Sequence, residues 1–377
     1  MRIVVCGAGY AGVTLARSLE RRLPEETELV VVDERPYHLI QHELHRVVRR
    51  PELAETISVP LDSLFERATL RETRVEAIDV DERIIRCADG ELEYDYAAIC
   101  LGAETAYYGL PGVEEHSIPL KRLEHAREIR ERVLPLLDSG GRAVVGGAGL
   151  SGVQVAGELA ALAREEAAPL DVTLLERFDN VAPNFPANFR TAVAEELEER
   201  GVDLRTETAV RRTTADAIET ADGEAIPYGL FVWTGGIRGP DALGGRRSPV
   251  RSDLRLDSRT FAVGDAAKAV DRDGEAVPAS AQAAIRGARV VADSLVALVE
   301  SEGSGGFDPR PERFGFDSPG WLVSVGDGAV AQVGPSVLRG RAALALKASV
   351  GAGYLSSVGA VRNAVDLVDE ELGIDRS

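Results

Sequence analysis

Gly7-Ala8-Gly9-Tyr10-Ala11-Gly12 follows the apolar run Ile3-Val4-Val5 and precedes an apolar-periodic stretch from Val13 to Arg22, and its reading decides the fold. A strand, a glycine turn and a helix in that order form the opening of a dinucleotide-binding βαβ unit. Each glycine has its own task. Gly7 permits the tight turn, Gly9 lets a pyrophosphate reach the backbone at the helix N-terminus, and Gly12 lets helix and strand pack closely. The next strand, Leu29 to Val32, ends at Asp33, about twenty residues on, where an acid accepts hydrogen bonds from a ribose.

The same unit occurs twice. Gly147-Ala148-Gly149-Leu150-Ser151-Gly152 follows Val144-Val145, opens a helical pattern from Val153 to Ala163, and precedes a strand, Asp171 to Leu175, that ends at Glu176. Later in each copy an Asp-Gly turn, Asp89-Gly90 or Asp222-Gly223, leads through Tyr94 or Tyr228 to another apolar strand. Glu176 would bond ribose hydroxyls and repel a 2′-phosphate, which favours NADH, while the adjacent Arg177 leaves NADPH open. The expected fold class is therefore α/β, with two nested Rossmann-like dinucleotide-binding domains and a small C-terminal region. The first domain is discontinuous, covering 1–112 and 245–335. The second is inserted at 113–244, and 336–377 forms the C-terminal region. A helix is expected from Pro278 to Glu300, then a Gly/Ser linker over Ser301 to Gly306.

Composition narrows the class. The net charge is −19, and apart from Lys121, Lys268 and Lys347 every basic residue is arginine; so acidic a chain argues against nucleic-acid binding, for which a basic stripe is expected. Acid excess with few lysines also fits a cytoplasm rich in salt. Cys6, Cys87 and Cys100 lie far apart, which indicates neither a disulfide scaffold nor a zinc site. The N-terminus opens directly on a strand and not on a leader, so an intracellular location is expected, and no apolar run is long enough to span a bilayer. His38, His42, His45 and Glu43 invite a metal reading, since the three histidines would share one face of a helix. Packing against, or polar lining of, a nucleotide pocket is the favoured reading. His116 and His125 read as surface residues.

Thr260-Phe261-Ala262-Val263-Gly264-Asp265 is the third informative segment. It resembles the second flavin motif of the pyridine nucleotide-dependent flavoproteins, in which the aspartate contacts the ribitol of FAD. By that resemblance the first fingerprint (Gly7, Gly9, Gly12, Asp33) holds FAD together with Gly264 and Asp265, and the second (Gly147, Gly149, Gly152, Glu176) holds NADH. Over nearly its whole length the chain resembles the type II NADH dehydrogenases. The similarity includes Leu110-Pro111-Gly112-Val113, Gly157-Glu158-Leu159, Val232-Trp233-Thr234-Gly235-Gly236 and the run from Gly320 to Gly340.

The resemblance implies hydride transfer from NADH to FAD and delivery of electrons to a membrane quinone. Two departures stand out. The family's quinone-site pattern aligns with Ala281-Gln282-Ala283-Ala284-Ile285-Arg286, so Gln282 matches while Arg286 replaces a second glutamine. Gln154 stands where the family carries glutamate. These departures leave two alternatives open: a soluble NAD(P)H-dependent reductase of a protein or small-molecule acceptor, and a redox-sensing flavoprotein with little turnover.

From Gly328 to Val365 there is no Asp or Glu, although the chain has 62 acids, and Arg339, Arg341, Lys347 and Arg362 make the segment basic. Leu344, Leu346, Val350, Tyr354, Leu355 and Val358 recur at helical spacing. A helix at 339–362 lying on an anionic membrane surface is expected, with docking to a homodimer partner or to the chain's own core as the alternative.

Overall fold

The structure, a computed structural model, describes residues 1–304 and 309–372. Two five-stranded parallel sheets organise it. The first runs, in spatial order, Thr260–Ala262, Tyr96–Ile99, Arg2–Cys6, Glu28–Asp33 and Thr69–Glu72. The second runs Ile118–Pro119, Leu230–Trp233, Gly141–Gly146, Leu170–Leu175 and Asp203–Arg205. Val4, Val5, Val144 and Val145 are wholly buried, as β-branched residues are in parallel strands covered on both faces. Each sheet carries an antiparallel three-stranded meander, at Val75–Asp79, Ile84–Cys87 and Gly90–Glu93 in one copy and Val210–Thr213, Ala217–Thr220 and Ala225–Pro227 in the other. Thr260–Ala262 returns to the edge of the first sheet after the whole second unit has been formed, pairing parallel with Tyr96–Ile99.

Helices α1 (Tyr10–Glu20), α2 (Leu123–Ser139), α3 (Leu150–Glu165) and α4 (Ala187–Glu199) cover these sheets, and α5 (Ala281–Ser304) packs on α1. Both turn helices begin three residues earlier than the apolar period places them. Val13 N–H donates to Gly9 O and Val153 N–H to Gly149 O, each at 3.0 Å, so the helix grows straight out of the glycine turn. The first turns, Tyr10-Ala11-Gly12 and Leu150-Ser151-Gly152, are built largely of small residues, so they carry no apolar period even where Ala11, Gly12 and Gly152 are buried.

At α5 the boundary shifts the other way. Ser280 Oγ accepts the Ala283 N–H at 3.2 Å, so the helix starts at Ala281 and not at Pro278. The expected linker at Ser301 begins as helix up to Ser304, and its last residues lie outside the described ones. A tertiary contact supplies what the Gly/Ser composition lacks: Glu302 accepts the Tyr96 hydroxyl at 2.8 Å and pairs with Arg259.

A three-stranded antiparallel sheet, Gly320–Val325, Gly328–Val333 and Ser336–Arg339, straddles the boundary expected at 335/336 and is followed by α6 (Gly340–Ser357) and α7 (Val361–Leu372). This sheet packs on α3 where Gly157 lets the backbones meet. A Cβ there would lie 2.5 Å from Gly326 N and 2.8 Å from Val325 C.

The expectation of a basic surface helix over 339–362 is corrected on two points. Arg339 closes a strand and forks onto Glu195, Glu196 and Glu199 of α4 at 2.7–2.9 Å. Lys347 is buried, its ammonium 3.1 Å from the buried Glu43 carboxylate. An acid-free segment meets its acids across space, because folding joins it to acidic parts of the chain. Leu355 and Val358 likewise point into the main core, while Val350 is exposed.

Candidate functional site

The two glycine turns are near copies. Gly7 and Gly147 adopt φ of +97° and +96°, a region that disfavours side chains. A Cβ on Gly12 would lie 1.8 Å from Gly7 O, and one on Gly152 would lie 1.9 Å from Gly147 O. The protein's own packing therefore demands these glycines. Gly9 and Gly149 differ, since a Cβ on either would meet nothing within 4 Å. Space kept clear beside free helix N–H groups fits a pyrophosphate, so the residues present fit a dinucleotide in each unit.

The acids behave alike. Asp33 Oδ2 accepts the Ala8 N–H at 2.7 Å and Oδ1 the Arg35 N–H at 2.9 Å. Glu176 Oε2 accepts the Ala148 N–H at 2.8 Å and Oε1 the Phe178 N–H at 3.1 Å. Each carboxylate is thereby oriented at the strand end, under its turn. Arg177 lies over the Phe178 ring, 4.5 Å from its centroid. Beside Asp33 opens a cavity of about 860 Å³, lined also by Arg35, Tyr37 and Leu70.

Gly264 and Asp265 reach the first unit. Gly264 has φ +68°, and its absent Cβ would lie 3.5 Å from the Ala11 Cβ of α1 and 3.2 Å from the Ala284 Cβ of α5. Lys121, to which no sequence motif points, lies within the electrostatic reach of Asp265. Burial pushes its ammonium pKa down, and the Asp265 charge pulls it back up. At the start of α5, Gln282 Oε1 is buried with no hydrogen-bond partner among the described residues, an acceptor left open. Arg286 instead donates to Asp317 O and lies over Phe316, which ties α5 to the loop after it.

Gln154 joins a buried polar cluster that the linear sequence did not reveal. Its Nε2 is 3.4 Å from Ser324 Oγ and 3.5 Å from His42 O. Ser324 Oγ is 2.8 Å from His45 Nε2, and Glu158 Oε1 lies 3.9 Å from the same nitrogen. Arg49 Nε holds the other Glu158 oxygen at 2.5 Å. Burial opposes ionisation of Glu43, yet Lys347, His42 and Arg46 hold its carboxyl well below the usual range. Burial pushes the Glu158 carboxyl up and the His45 imidazole well down. The only linear hint of this cluster is the density of His, Glu and Arg between 42 and 49.

The histidines do not share a helical face. His38 is on the strand Tyr37–Leu39, while His42 and His45 are on the 3₁₀ helix Gln41–Val48. His38 Nδ1 is 2.8 Å from Ala8 O and Nε2 is 2.9 Å from the Tyr354 hydroxyl, so the Nδ1–H tautomer satisfies both partners. His42 bonds Tyr10, the residue after Gly9. These two histidines brace the first turn by hydrogen bonds to Ala8 and Tyr10. His125 Nδ1 accepts the Lys121 N–H at 3.1 Å, so it is not a mere surface residue.

Cys6, Cys87 and Cys100 are buried and unpaired. Cys6 and Cys100 pack in different apolar clusters, and burial pushes both thiols up, Cys100 to about 12. None is poised as a thiolate.

Comparison with known proteins agrees with this geometry. The chain is 29% identical to a probable mitochondrial NADH-ubiquinone oxidoreductase of Schizosaccharomyces pombe, over 63% of this chain and 50% of that one. It is 26% identical to a type II NADH:quinone oxidoreductase of Haemophilus influenzae, over 86% of this chain and 84% of the relative. The chain thus spans half the length of the first of these relatives. The solved structure of NDH2 from Plasmodium falciparum has the same fold, with a TM-score of 0.86 at 14% identity, covering 100% of this chain and 99% of that one. A sulfide:quinone oxidoreductase structure from Aquifex aeolicus follows at 0.78 and 20% identity, covering 96% and 92%. Residues 1–288 match the sequence pattern of the pyridine nucleotide-disulphide oxidoreductases. With both dinucleotide units inside that match, the chain belongs to the pyridine nucleotide-disulphide oxidoreductase family.

Proposed function

We propose that this chain is an NADH:quinone oxidoreductase that binds FAD in the first unit and NADH in the second. One observation carries the reading: two glycine turns with open space at Gly9 and Gly149, each closed below by its own acid. The names of the sequence relatives support the electron donor and the quinone acceptor. FAD bound in the first unit would supply the hydride-accepting and electron-passing chemistry.

The residues of the chain bind and orient. Gly9 and Gly149 admit the pyrophosphates, while Asp33 and Glu176 take the ribose hydroxyls and keep the turns rigid. Gly264 and Asp265, brought onto α1 by the returning strand, hold the ribitol end. Gln282 offers its open acceptor at the start of α5, where the helix N-terminus favours negative charge. Catalysis then rests chiefly on proximity and orientation, with no protein thiol in the path.

Delivery to a quinone places the acceptor at a bilayer. No helix among the described residues is long and apolar enough to cross one. The exposed Val350, Val361 and Val365 with Arg341 on the C-terminal helices support contact with an anionic membrane surface. Internal pairing of Arg339 and Lys347 leaves this basic surface smaller than the sequence alone indicates.

Anaerobic NADH titration tests the first half: bleaching of the flavin absorbance is expected, and an unbleached flavin overturns it. Steady-state NADH oxidation with quinones, ferredoxins and dyes, with and without lipid, tests the second. Turnover confined to protein or dye acceptors, with no gain from lipid, would transfer the chain to the soluble reductases. Slow turnover with every acceptor would leave the sensing role.

A further inference from the structure

The cavity beside Asp33 has a wall that the two-unit architecture does not account for. Arg362, Asn363 and Asp366 of α7 line the same space of about 860 Å³ as Asp33 and Arg35. They come from a helix more than 300 residues further along the chain, outside the family match at 1–288.

α7 is fixed there by its other side. Ala364 and Leu367 are buried in the main core and Arg46 lies 3.8 Å from Glu370, while on the cavity side Asn363 Nδ2 donates to Thr56 O, another lining residue, at 2.9 Å. Residues 362, 363 and 366 fall together on one helical face, one turn deep. Arg362 and Asp366 stand one turn apart on α7, both exposed and both lining the cavity.

A planar guanidinium, an amide and a carboxylate facing a cavity of this size match the ring, amine and hydroxyl groups of adenosine. We propose that α7 is the outer wall of the adenosine site of the first unit, with Arg362 and Asp366 contacting the adenosine half of FAD. This rests on the assignment of FAD to that unit. The C-terminal helix then serves cofactor retention, and FAD in turn holds the helix down, since a ligand that bridges two elements stabilises their contact.

Deflavinated full-length chain, the pair Arg362→Ala with Asp366→Ala, and a chain ending after Ala360 are titrated with FAD and with ADP. Both altered chains are expected to lose roughly tenfold or more in affinity for each ligand. The melting temperature of the deflavinated double variant is expected to match the unaltered chain, because neither side chain belongs to the core. Unchanged FAD and ADP affinity in the double variant overturns the proposal. So does a fall in affinity accompanied by a fall in the melting temperature of the deflavinated chain, which marks a packing role. A full-length chain that binds neither FAD nor ADP overturns the cofactor assignment itself, so the two failures are distinguishable.

Discussion

Asp33 and Glu176 stand in one relationship to their glycine turns: each carboxylate accepts the backbone N–H of the residue between the first two glycines, Ala8 at 2.7 Å and Ala148 at 2.8 Å. The acid therefore stiffens its turn through that bond and keeps further lone pairs at the strand end.

Glu176→Gln keeps an acceptor for Ala148 and removes the charge that repels a 2′-phosphate. Discrimination between NADH and NADPH, measured as the ratio of kcat/KM values, should fall roughly tenfold, about 1.4 kcal/mol. Flavin content should not change. An unaltered ratio would show that Glu176 does not face the nucleotide ribose.

Gly9→Ala and Gly12→Ala separate space kept for a ligand from space used by the protein. The first adds a methyl group that touches nothing in the chain, so the deflavinated protein should melt as the parent does while FAD affinity drops roughly tenfold or more. The second drives a methyl group to 1.8 Å from Gly7 O and should destabilise the first unit outright. Equal melting losses in both would refute the distinction. Gly149→Ala should weaken NADH binding and leave bound FAD in place.

Burial pushes His38 down to about 4, against the opposing hydrogen bond to Ala8 O. Its unfolded value is near 6.5, so the unfolded chain binds the proton more readily. The stability this neutral imidazole preserves is complete above pH 6.5 and is lost as pH falls towards 4, at about 1.4 kcal/mol per pH unit. Urea unfolding between pH 7 and 4 should show at least this slope, and His38→Gln should reduce it by about 1.4 kcal/mol per pH unit, leaving the part due to the buried His45. A slope that the variant does not change would assign the acid sensitivity to other groups.

Lys347 and Glu43 are a buried pair whose members are costly to separate. Lys347→Met should lower the unfolding free energy by about 3 kcal/mol, because Glu43 is left with less compensation in a dry site. Adding Glu43→Gln should cost less than the sum of the single changes. Strict additivity in the cycle would mean that the two charges are not coupled. Molar salt should weaken the pair little, since buried charges are poorly screened.

The duplicated unit, the order of strand, turn, helix and acid, and the return of Thr260–Ala262 to the first sheet are all legible in the sequence. They are local patterns: glycines where backbone must approach backbone, and apolar runs of the right period and length. Helix starts are less legible, because the first turns of α1 and α3 are built largely of small residues, Ala11, Gly12, Ser151 and Gly152, and carry no apolar period.

Only the tertiary structure decided the fate of the C-terminal segment. Read linearly, Arg339 and Lys347 are free cations in an acid-poor stretch; folded, they meet Glu195, Glu196, Glu199 and Glu43 from distant parts of the chain. The same holds for Arg362, which reads as surface charge until α7 is seen to line the cavity beside Asp33. Charge is a local property of a sequence, but its partner, its burial and hence its energy depend on which segments folding brings within a few ångströms.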